Sequence, residues 1–232
     1  MRELGGVTGR ILGPLQQGDP HRPRLTVLGA DGARTELSTA SLANLAAKVA
    51  GLLRDEIGAT EGDVAAVLLD RSWQTAPILL GCWWAGLTVG TDDDPAAVAA
   101  FVPEGADAAV GAADEVFVVT AHPLGLPSAG IAAHQRDFTT AAMPQADRFG
   151  AGRVELSAPA PALDAVTGDD LLAAAADLAA SWGTAARVAA RTPCAVTDLA
   201  PLLLGALLAD GSLLLAPDGV PVPDGEQVTV EI

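Results

Sequence analysis

Apolar positions along the chain follow two rhythms, one with helical spacing and one of short unbroken runs. Residues 5–17 carry apolar side chains at helical intervals and run into Gly18-Asp19-Pro20, which predicts a short amphipathic helix. Residues 24–28 and 34–37 flank Gly29-Ala30-Asp31-Gly32. This is a hairpin pattern, because Asp-Gly tolerates the positive φ of a tight turn. Ser38 is suited to cap the next helix, since its hydroxyl can accept from a free amide of the first turn. That helix runs to residue 56, with Leu42, Leu45, Ala46, Val49, Leu52 and Leu53 on one face, and Gly58 ends it. Leu45, Leu52, Val67 and Leu80 are expected in the core.

Farther along, residues 64–69 are apolar without alternation, which suits a strand buried on both faces of a parallel sheet. A helix over 73–85, stopped by Gly86, and a strand over 87–91 follow. Asp92-Asp93-Asp94-Pro95 predicts a third helix, with Asp as cap and Pro in the first turn. Strands are expected at 108–110 and 116–120. From 121 to 165 five prolines and several glycines break the periodicity. Helices over 169–182 and 197–209, strands over 187–190 and 212–216, and a last strand within 227–232 complete the pattern. Strands alternating with helices predict an α/β fold of two βαβ-type subdomains, 1–125 and 126–232, with mainly parallel sheets flanked by helices.

Composition narrows the function classes. The 232 residues carry a formal net charge of −16, with twelve arginines, a single lysine (Lys48) and no tyrosine. Phosphate backbones are bound by clusters of Lys and Arg, so nucleic acid is not an expected partner. An anionic membrane surface repels an acidic chain, and no continuous apolar run is long enough to span a bilayer. Residues 1–20 lack the apolar core of a signal peptide. Cys82 and Cys194 are far apart and show no disulfide framework. These features predict a cytoplasmic protein, and the excess of Ala and Arg over Lys suits a bacterial source with a GC-rich genome.

Residues 35–91 carry the most specific pattern: Leu37-Ser38 at a helix start, a Leu-rich helix, Gly62-Asp63 before an apolar strand, and Trp84-Ala85-Gly86 before the next strand. This block resembles the opening module of the adenylate-forming (AMP-binding) superfamily, which includes acyl-CoA synthetases, luciferases and nonribosomal-peptide adenylation domains. Residues 199–217 resemble a later segment of that family, in the family's order. The resemblance implies the fold of the family's N-terminal region. Between these blocks the family carries a Ser/Thr/Gly-rich phosphate loop followed by Lys, where amides and hydroxyls hold ATP phosphates. Residues 121–165 contain no such run, and Pro127-Ser128-Ala129-Gly130 is the nearest stretch. The adenine-side Tyr-Gly pair is missing, and the chain ends before the family's smaller domain with its catalytic Lys.

Candidate side chains are few. Thr167-Gly168-Asp169 spells the family's ribose-binding triplet but precedes a helix, so capping explains it. His122 follows a predicted strand end, where open parallel sheets collect ligands, and is the one catalytic candidate. A loop histidine bonded to backbone is the alternative. His134 and His21 read as solvated. Cys82 sits in an apolar helix, and Cys194 follows Thr192-Pro193 with no activating base in view. Asp92-Asp93-Asp94 offers oxygen ligands, yet capping accounts for it better, so neither a metal nor a cofactor is expected. Trp83 and Trp84 at a helix end are expected to pack the core, with one ring free for an interface. The expectation is a pseudoenzyme that lacks the ATP phosphate loop and acts by binding or assembly, as a homodimer or with a protein partner. The alternatives are a small-molecule enzyme of unrelated chemistry at the C-terminal edge of the sheet, and residual nucleotide or acyl binding.

Overall fold

The computed structural model describes residues 6–70, 72–107, 110–148, 156, 158–192 and 195–232. Helix α1 (Val7–Gln17) leads into the hairpin of β1 (Pro23–Leu28) and β2 (Arg34–Ser38). Ser38 caps α2 (Thr39–Gly51), its Oγ accepting from the Ser41 amide at 3.2 Å, and a π-helical turn (Leu52–Glu56) extends the helix. Strand β3 (Val64–Val67), helix α3 (Thr75–Ala85), and strands β4 (Thr88–Gly90), β5 (Ala99–Pro103) and β6 (Glu115–Val119) follow. The broken region holds β7 (Gln135–Asp137), the short α4 (Phe138–Ala142), β8 (Pro161–Leu163) and β9 (Val166–Thr167). Helix α5 (Gly168–Trp182), β10 (Arg187–Thr192), α6 (Val196–Leu208), β11 (Ser212–Pro217), a 3-10 turn (Asp224–Glu226) and β12 (Val230–Glu231) end the chain.

Two sheets result. One has the order β12-β10-β11-β1-β2, parallel except for the β1–β2 hairpin. The other has the order β7-β6-β5-β3-β4-β8-β9, parallel except for β8–β9. Each sheet takes strands from both sides of residue 125. The interior strands β3, β5 and β11 read as nearly unbroken apolar runs because both faces are covered. Ala99 and Phe101 of β5 face the main core, while Ala100 and Val102 face a second cluster roofed by Ala97, Ala106, Ala113 and Ile131. The main core also takes Leu25, Leu213 and Leu215 of the other sheet together with the long helices, which therefore lie between the sheets.

Helices α2 and α3 pack closely because Gly81 has no side chain. A Cβ there would lie 2.5 Å from Val49 Cβ and 2.8 Å from the Ala46 carbonyl oxygen. Gly86, at φ 88°, caps α3 in the left-handed conformation that glycine adopts without strain.

Several expectations need correction. Residues 92–98 form turns and no helix. Asp94 accepts from the Ala96 amide at 2.8 Å, and Asp93 accepts from the amides of Gly111 and Ala112 at 3.0 and 2.6 Å. The Ala-rich run after them is strand β5. Leu52, Val67 and Leu80 are buried, whereas Leu45 is half-buried at the core's margin. Val110 is not in a strand, and residues 108 and 109 lie outside the described residues. No helix among the described residues is long and apolar enough to cross a membrane.

Candidate functional site

In parallel sheets the ligand crevice forms outside the carboxyl ends of the strands, where strand order reverses. The reversal here falls at β3, with β4 on one side and β5 on the other. The chain leaves β3, held by a Leu68 amide bond to the Phe101 carbonyl at 2.9 Å, and turns into α3 through 69–74. That turn is pinned from within. Thr75 Oγ1 accepts from the Ser72 amide at 3.2 Å and donates to the Asp70 carbonyl at 2.8 Å, and Ser72 Oγ accepts from the Gln74 amide at 3.2 Å.

The turn places Ser72 and Trp73 in the wall of a cavity of about 240 Å³, opposite Thr35 and Asp31 of the hairpin and beside Ala121, Pro123 and Pro217. The carboxyl ends of β1, β3, β6 and β11 thus meet at one crevice. Two bonds hold its walls together: Trp73 Nε1 donates to the His122 carbonyl at 3.3 Å, and Thr35 Oγ1 donates to the Pro123 carbonyl at 3.1 Å. Gln74, 1% exposed, receives the Ser72 hydroxyl, while its own Nε2 has no hydrogen-bond partner among the described residues. Buried side-chain amides rarely go unpaired, so this donor is an exception within the turn.

His122 lies in the loop after β6 and is exposed. Its Nδ1 accepts from the Leu124 amide at 3.1 Å, the loop arrangement weighed against a catalytic role. His134 and His21 are exposed as well. Thr167 caps α5, its Oγ1 accepting from the Asp170 amide at 3.1 Å, so Thr167-Gly168-Asp169 serves the helix start. Cys82 is fully buried and burial pushes its thiol pKa up, which disfavours the thiolate. Cys194 lies outside the described residues. The Asp93 and Asp94 carboxylates accept backbone amides as described above, and the described residues gather no group of three or more His, Cys, Asp or Glu around a metal position. Trp83 is buried with Nε1 donating to the Ala162 carbonyl at 2.7 Å, and Trp84 is half-buried beside Asn44 in a surface cleft.

Ser72, Trp73 and Gln74 were not singled out as site residues by the sequence reading. Their position was available, since they follow a parallel strand and precede a helix, the usual place for ligand contacts.

No family model matches the chain. A protein of Mycobacterium tuberculosis (strain ATCC 25618 / H37Rv), described as a TIGR03089 family protein, is 38% identical over 218 residues, 90% of this chain and 88% of that one. This chain belongs to the TIGR03089 family. The fold of this TIGR03089 member is that of the N-terminal region of adenylate-forming enzymes. It superposes on an acyl-CoA synthetase of Brucella canis with a TM-score of 0.75 at 18% identity, covering 97% of this chain and 46% of the enzyme. Against apo MatB from Rhodopseudomonas palustris the TM-score is 0.69 at 19% identity, covering 90% of this chain and 44% of MatB. The TIGR03089 chain thus spans less than half the length of the solved enzymes it resembles.

Proposed function

We propose that this TIGR03089 protein is a non-catalytic relative of the adenylate-forming enzymes, acting by binding in the crevice and by assembly, without activating carboxylates by ATP. The fate of the chain's single lysine carries this reading. Lys48 Nζ donates to the carbonyls of Met143 and Gln145 at 2.9 and 2.7 Å and pairs with Asp147 at 2.7 Å, its side chain 15% exposed. It ties α2 to the segment after α4 and is unavailable to a phosphate. Transfer at phosphorus depends on positioned cations and amide donors. Residues 121–165 contain no Ser/Thr/Gly-rich run followed by Lys.

Carboxylates also occupy donors near the end of β6. Glu104 accepts from the Ala121 amide and the Thr120 hydroxyl, each at 3.3 Å, and Asp137 accepts from the Ser128 amide at 2.7 Å. A seated carboxylate repels a phosphate from the same donors. Titration calorimetry with Mg·ATP tests the proposal. No saturable heat is expected at millimolar nucleotide, and stoichiometric binding would count against it.

The assembly part rests on the loop after His122. Leu124 is 81% exposed and Leu126 53% exposed in the loop that follows the crevice-lining Pro123, an apolar pair suited to a second copy or a protein partner. Light scattering at high micromolar concentration separates these: a dimer mass supports self-association, and a monomer mass removes it.

A further inference from the structure

Every side-chain donor in the described lining of the crevice is already spent. Three of its residues carry an O–H or N–H on the side chain. Thr35 Oγ1 donates to the Pro123 carbonyl at 3.1 Å, Trp73 Nε1 to the His122 carbonyl at 3.3 Å, and the Ser72 hydroxyl to Gln74 Oε1. From side chains a ligand is therefore offered acceptors and apolar surface.

The charge points the same way. Asp31 is the one ionisable residue in the described lining. Its Oδ1 accepts from the Ala33 amide at 3.0 Å and lies over Gly29, where a Cβ would come within 2.5 Å of it. Gly29 and Ala33 both line the cavity, so the carboxylate belongs to the wall, with Oδ2 open among the described residues. The arginines nearby are balanced. Arg34 pairs with Glu36 and Glu226, Glu226 also takes Arg187, and Arg191, bonded to the Pro217 carbonyl at 3.5 Å, pairs with Glu231. Glu104, which accepts from the Ala121 amide of the lining, adds a second carboxylate. The wall is thus negative, and the protein's net charge of −16 reinforces it.

We propose that the crevice binds a small primary ammonium with a short apolar body, an inference that rests on reading the crevice as a binding site. The ammonium donates to Asp31 Oδ2 and lies against the Trp73 indole, and the body packs on Val27, Leu28, Pro123 and Pro217. Asp31 is exposed, so water weakens its pull on a cation. An indole face adds a second attraction that neutral molecules and anions do not receive. A carboxylate or phosphate would meet Asp31 with no free side-chain donor to offset it. The cavity of about 240 Å³ is small for a ligand site and suits one compact molecule.

Titration calorimetry of the full chain at neutral pH with hexylamine, hexanol and hexanoate provides the test. Hexylamine, charged at that pH, should saturate one site, hexanol should bind more weakly, and hexanoate should not bind. Asp31→Asn keeps an acceptor for the Ala33 amide and should weaken hexylamine by about tenfold. Trp73→Leu should weaken it as well. Asp177→Asn, the same charge change on the exposed surface of α5, should bind like the wild type and so separates a site from general attraction to an acidic protein. The proposal is overturned if hexylamine does not saturate, if hexanol or hexanoate binds as tightly, if Asp31→Asn binds like the wild type, or if Asp177→Asn weakens binding as much. Hexanol or hexanoate bound in a Trp73-dependent way would overturn the cation and leave the crevice a binding site, while ATP–pyrophosphate exchange tests the non-catalytic reading separately.

Discussion

Replacing Gly81 by alanine sets two effects of known size against each other. In an isolated helix Gly→Ala is worth about 1 kcal/mol in favour of alanine. In this fold the added Cβ lands 2.5 Å from Val49 Cβ, 2.6 Å from Val49 Cγ1 and 2.8 Å from the Ala46 carbonyl oxygen. Carbon atoms rest at about 3.5–4.0 Å. Helices α2 and α3 must therefore separate by roughly 1 Å, in a core where overpacking costs about 1–3 kcal/mol. One contact is to backbone and Val49 is buried, which places the cost at the upper end. The net is a loss of about 2 kcal/mol, or about 4–8 °C in melting temperature for a chain of this size. Gly51 supplies the control. It is helical at φ −62° and ψ −46°, and a Cβ there would meet Gln145 at ordinary distances of 3.4 and 3.5 Å. Gly51→Ala should gain up to about 1 kcal/mol. Gly205→Ala, with contacts of 3.0–3.1 Å, should fall between the two. Thermal unfolding by circular dichroism reads all three. A Gly81→Ala variant that melts at or above the wild-type temperature would refute the close α2–α3 packing.

Leu52→Ala, at a fully buried position, should cost about 2–5 kcal/mol in denaturant unfolding, and an unchanged midpoint would put that helix face outside the core. Glu226, whose carboxylate takes Arg34 Nε at 2.6 Å and also Arg187, is held below the usual carboxylate pKa, chiefly by the Arg34 hydrogen bond. A depressed folded pKa stabilises the fold above the unfolded value of about 4.3 and loses that contribution as pH falls through the folded pKa. Glu226→Gln should therefore be less stable than wild type at pH 7, with the difference shrinking in acid; a constant difference across that range would remove the linkage. In a Cys194→Ser background, Cys82 should react with a thiol reagent only at the rate of unfolding, since it is fully buried with a raised pKa. Immediate labelling of the folded protein would contradict its burial.

Much of the fold was legible because local chemistry and tertiary environment agree there. Ser38 and Thr167 cap the helices they precede, Asp31-Gly32 turns the hairpin, and Gly86 stops α3. Where long-range partners decide, the pattern misled. Asp92-Asp93-Asp94-Pro95 has the composition of a helix start, yet Asp93 spends its carboxylate on amides at Gly111 and Ala112, which no local spacing reveals. The residues of β5 begin with alanines, the best helix formers, and burial on both faces of a sheet overrides that preference. The pairing of β1 with β11 joins residues nearly two hundred positions apart, so the crevice at their carboxyl ends was not visible in the sequence. His122 lies just past the end of β6, where its ring nitrogen accepts a backbone amide, and Ser72 and Trp73 line the crevice.

The central claim is that this adenylate-forming scaffold does not activate carboxylic acids, and ATP–pyrophosphate exchange tests it most directly. The purified chain is incubated with Mg·ATP, labelled pyrophosphate and a panel of aliphatic, aromatic and amino acids, beside a competent ligase as positive control. The tethered Lys48 and the residues found at 121–165 predict exchange no greater than that of the heat-killed protein for every acid. Exchange above that level, dependent on one acid and on the folded chain, would contradict the account.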